Sequence, residues 1–94
     1  MIDRYPLVKV TWHDAQEGES GWQDIDKCID TPMAICYSVG WLVSRDEEKI
    51  VLMATAGRCQ TENQITTGGD CTAIPANWTT KIEYLVEKKP KYLN

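Results

Sequence analysis

A chain of 94 residues and 10.7 kDa has room for one hydrophobic core, so residues 1–94 are expected to form a single domain. With 43% hydrophobic and 26% charged residues the composition is globular rather than disordered, and no apolar run reaches the ~18 residues that a bilayer span needs. The formal charge of −4 excludes a global positive field for phosphate, and a single histidine excludes any site built from two imidazoles of one chain.

The first strand is expected over 7–13, where Val8, Val10 and Trp12 share one face and Lys9, Thr11 and His13 the other. Pro6 precedes it, a position where a missing N–H costs the ladder nothing. Residues 17–21 have the composition of a loop. The period then changes: Trp22, Ile25, Cys28 and Ile29 form one helical stripe, with Ser20 as candidate cap and Pro32 as stop. This predicts a helix of about two turns lying across one side or mouth of a sheet. Residues 33–44 alternate Ile35, Tyr37, Val39, Trp41 and Val43 against Ala34, Cys36, Ser38, Gly40 and Leu42, a long strand with a bend available at Gly40. A polar turn at 45–49 returns the chain into the apolar strand 50–56, giving a hairpin whose second arm is apolar enough for burial on both faces or at a subunit contact. Residues 57–71 form a polar loop with room for a short strand around 64–67. A short strand over 72–74, a tight break at 75–77 and a final strand over 79–85 complete the chain.

The acids crowd into the amino-terminal third: residues 1–30 hold seven acids against Arg4, Lys9 and Lys27, whereas 31–94 hold seven of each sign. The basic cluster is Lys88, Lys89 and Lys91 in a short tail over 86–94, either a solvated end or an electrostatic arm. Cys28, Cys36, Cys59 and Cys71 contain no Cys-x-x-Cys pair, so they are expected to be reduced packing residues, Cys36 above all, and no metal site or cofactor is expected. His13 adjoins Asp14, but neighbours in a strand point to opposite faces, and nothing marks an oxyanion site; the chain is expected to be non-catalytic. With no phenylalanine present, about half of Trp12, Trp22, Trp41 and Trp78 should serve the core or subunit contacts. Without a recognisable leader, the expected compartment is the cytoplasm.

From Gly40 the sequence runs Gly-Trp-Leu-Val-Ser, a polar turn holding Asp46, and the apolar return Ile50-Val51-Leu52-Met53. From Ala73 it runs Ala-Ile-Pro-Ala-Asn-Trp-Thr-Thr-Lys-Ile, a short strand, an asparagine-bearing turn and a last apolar strand. In these two motifs the chain resembles the Sm-like family, and over 8–14, 36–52 and 74–85 it is similar to small proteins encoded by marine cyanophages. The resemblance implies a mainly β fold: a strongly bent five-stranded Sm-like or SH3-like small barrel, here with one short inserted α-helix. It also implies a homo-oligomeric ring of about five to seven subunits, possible RNA association, and a phage-infected bacterial cytoplasm as the setting. The motif positions nominate Asp46, Lys49, Asn77 and Lys81 for RNA, supported by the Lys88, Lys89, Lys91 tail. Glu48 and Ile50 stand where RNA-holding members carry a stacking ring and a base-reading asparagine. Pro75 and Ala76 stand where they carry arginine and glycine, while Asp46 and Asn77 keep the pattern. The helix also follows the first strand, whereas the family's usual helix precedes it. The alternative reading is an SH3-like protein-interaction module whose acidic amino-terminal third meets a basic protein.

Overall fold

The computed structural model describes residues 1–18 and 20–90; Lys91 of the basic tail lies outside the described residues. Five antiparallel strands form one sheet: β1 (Leu7–Asp14), β2 (Ala34–Arg45), β3 (Lys49–Gly57), β4 (Thr67–Pro75) and β5 (Thr79–Tyr84). Among the described residues a single short helix, α1 (Ile25–Ile29), stands between β1 and β2, and a 3-10 turn, Ala76–Trp78, joins β4 to β5. The fold is therefore mainly β.

The strand order β4-β3-β2-β1-β5 makes β4 and β5 opposite edges of the sheet. Four strand spacings of about 4.8 Å would separate those edges by about 19 Å if the sheet were flat. A connector of three residues, Ala76–Trp78, therefore forces it to curl. The curl brings Ile50 and Leu52 of β3 and Ile74 of β4 onto Val8 and Val10 of β1, all at 3% exposure or less. Trp12, Leu42 and Ile82 pack around that cluster, and each fully buried aliphatic contributes about 1.5–3 kcal/mol. The strongly bent, five-stranded sheet is not closed: β4 and β5 remain edges.

Two local features supply the bend. The β2–β3 register shifts between Leu42 and Ser44, leaving Val43 as the extra residue of a bulge, and β1–β5 shifts between Thr11 and Trp12. At Gly40 a Cβ atom would stand 3.0 Å from the Met53 carbonyl oxygen and 3.1 Å from the Leu52 Cβ, so only glycine lets β2 pass this close to β3. Beyond that crossing β3 leaves β2. The β2–β3 ladder covers residues 41–45 of β2, whereas 34–40 pair with β1 alone.

Three expectations need correction. The helix is five residues rather than two turns; it starts after Asp24, not Ser20, has no side-chain cap, and none of its residues is buried. Asp24, Asp26 and Asp30 have low helix propensity, and no packing partner offsets it to extend the helix. The span 57–71 is not all loop: β4 begins at Thr67 and runs through Gly68, Gly69 and Asp70, because pairing with β3 outweighs the turn preference of those residues. The cysteines are free but not core residues, with Cys28, Cys59 and Cys71 exposed and Cys36 half-buried. Cys36 lies beside Trp12 in the register, on a stretch of β2 where β3 no longer covers the sheet.

Candidate functional site

The two motifs nominated by the sequence do meet. In the β2–β3 turn, Oδ1 of Asp46 accepts hydrogen bonds from the backbone N–H groups of Glu48 and Lys49, both at 2.8 Å, closing an Asx-type turn. These bonds, that from Lys49 first, hold the Asp46 carboxyl below its usual range. The Ala76 N–H then donates to the Glu48 carbonyl at 2.9 Å, stitching the first turn to the β4–β5 connector.

Between the stitched turns lies a cleft of about 220 Å³ whose charged walls are Arg45, Asp46 and Lys81, over a floor of Ile50 and Ile82. Asp46 and Lys81 are thus brought together. Asn77 is exposed and lines a separate groove of about 320 Å³ with His13, Asp14, Met33 and Trp78; Thr80 borders both. Lys49 is exposed and lines neither cavity. Lys88 and Lys89 are exposed beyond β5.

The electrostatics of the cleft are nearly balanced. Lys81 lies 3.7 Å from Glu83, which also pairs with Lys9 at 3.3 Å. The Lys9 bond, and then Lys81, lower the Glu83 carboxyl below its usual range. Asp46 spends one carboxylate oxygen on the turn backbone. Arg45 is the cation that sequence reasoning passed over; its place beside Ile50 in the β2–β3 register follows only from the bulge.

A second feature escaped the sequence. Trp12 and Trp78 stack at 6.4 Å between centroids with 16° between planes, and Trp12 Nε1 donates to Ser38 Oγ at 3.0 Å. The β1–β5 bulge at Thr11/Trp12 sets this pairing, and nothing in the local sequence marks it. The stack borders the Asn77 groove, where Asp14 Oδ1 accepts from Ala15 N–H rather than orienting the adjacent imidazole. Among the described residues no three His, Cys, Asp or Glu side chains gather closely enough to hold a metal ion, and no helix is long and apolar enough to cross a membrane. Comparisons with family models, curated proteins and solved structures found no match to the chain.

Proposed function

We propose that this chain is a non-catalytic subunit that assembles with copies of itself into a closed homo-oligomer through the open edges of its sheet, in the manner the Sm-like resemblance implies. The observation that carries this reading is the accessible area. A compact monomer of this mass exposes about 5,500 Å². This chain exposes 7778 Å². The surplus, about 2,300 Å², exceeds the roughly 1,600 Å² that two contacts of standard size, about 800 Å² per partner each, remove from one subunit, as a ring requires. Strands β4 and β5, each with one unpaired edge at opposite sides of one curled sheet, offer surfaces for head-to-tail pairing.

RNA association is a secondary part of the proposal and is confined to the cations at Arg45, Lys81 and the tail. The subunit charge of −4 opposes it, and the nominated cleft offers no aromatic ring for stacking. The assembly reading is tested at the edge. Thr72 and Ala73 of β4 are exposed, so Thr72→Lys with Ala73→Lys should leave the fold intact while opposing edge pairing. The double variant is expected to keep its circular dichroism spectrum and lose mass in light scattering. An unchanged mass would overturn edge pairing.

A further inference from the structure

The segment between β1 and β2 carries an apolar arm whose large side chains are left exposed. Trp22 is fully exposed, Ile25 is 76% exposed and Ile29 74%, and no residue of α1 is buried. A second bare surface lies on β2, where Ile35, Tyr37 and Val39 are 57–67% exposed along one face. We infer that the arm of one subunit lies on this face of β2 in a neighbouring copy, with Trp22, Ile25 and Ile29 against Ile35, Tyr37 and Val39. The inference rests on the self-assembly reading and specifies a contact separate from the sheet edges.

Three observations favour a second copy as the occupant. First, residues 30–33 are a short connection containing Thr31-Pro32, and the residue before a proline favours extended backbone. An extended connection leaves the arm off its own strand, where Trp22, Ile25 and Ile29 stay exposed. Second, the two surfaces together would remove on the order of 1,000 Å², the least that a specific interface requires. Third, the charges are complementary. The arm carries Asp24, Asp26 and Asp30 against Lys27. The register places Lys9 beside Val39, Thr11 beside Tyr37 and His13 beside Ile35, with Lys81 and Glu83 on the next strand. The Lys9 ammonium lies 5.8 Å from the centre of the Tyr37 ring, on the edge an acidic arm would meet.

The experiment uses full-length protein with Cys36, Cys59 and Cys71 replaced by Ser, leaving Cys28 on the arm, and with Tyr37→Cys. After mild oxidation, disulfides between different chains are expected on a non-reducing gel, in a species whose light-scattering mass exceeds one chain. A disulfide within one chain, or none in a species that is still oligomeric, would overturn arm exchange while leaving edge assembly standing. A monomeric mass for the unaltered protein would overturn the assembly reading itself. A second measurement needs no cysteine variant. The tryptophan emission assigned by comparison with Trp22→Phe should be shielded from iodide in the oligomer, and full access of iodide to Trp22 there would overturn the inference.

Discussion

Single side chains decide whether the sheet can curl. Replacing Gly40 by Val puts a branched Cβ where 3.0 Å separates it from the Met53 carbonyl, and should cost about 1–3 kcal/mol in chemical denaturation. Ile74→Ala empties the centre of the cross-sheet cluster and should cost about 2–5 kcal/mol, lowering the thermal midpoint by well over 5 °C. Asp46 gives a pH signature. Its carboxyl is held below the unfolded value by two backbone N–H groups, so its stabilisation is present above the ordinary carboxylate range and is lost as pH falls through the lowered folded pKa. Asp46→Asn should flatten that acid limb in a thermal melt series, and Asp46→Ala should lower the midpoint at neutral pH. Among the thiols, Cys59 should react fastest with a disulfide reagent, because the Thr61 hydroxyl favours its thiolate. Reaction no faster than that of Cys28 would contradict this.

At the scale of elements, β1 and the β2–β3 hairpin were legible because alternation of Val8, Val10 and Trp12, and of Ile35 through Val43, is a local signal. β4 was obscured because Gly68, Gly69 and Asp70 have turn chemistry, and only the partner strand overrides it. The override leaves a trace: Asp70 takes a φ of 51°, and the ladder skips its pairing with Ala54. Asp70→Val should therefore cost about 1–2 kcal/mol, whereas Asp70→Gly should be neutral or stabilising, as equilibrium denaturation would show. The site was legible only in part. The resemblance nominated Asp46 and Lys81, which line one cleft, and Asn77, which lines another, whereas the Trp12–Trp78 stack follows from a bulge with no signature along the chain. α1 was mislocated for a related reason: its stripe is real, yet a stripe without an opposing surface sustains only five residues of helix.

The whole molecule departs from a compact monomer in both area and shape. A compact chain of this length has a radius of gyration of about 12 Å, and this one has 18.4 Å. Six hydrophobic side chains are buried, whereas Trp22, Ile25, Ile29, Ile35, Tyr37 and Val39 lie open to solvent, a balance that a second copy would correct. Assembly would also multiply the charge of −4, so fluorescence anisotropy with short oligouridine should show weak, steeply salt-dependent binding that disappears when 86–94 are removed. Tight binding at physiological salt in the truncated protein would place the RNA contact in the cleft instead. Self-assembly is tested most directly by the mass of the unaltered protein in light scattering coupled to gel filtration. A single species of about five to seven copies of the 10.7 kDa chain, unchanged on dilution through the micromolar range, is the predicted result, and a particle with the mass of one chain would contradict it.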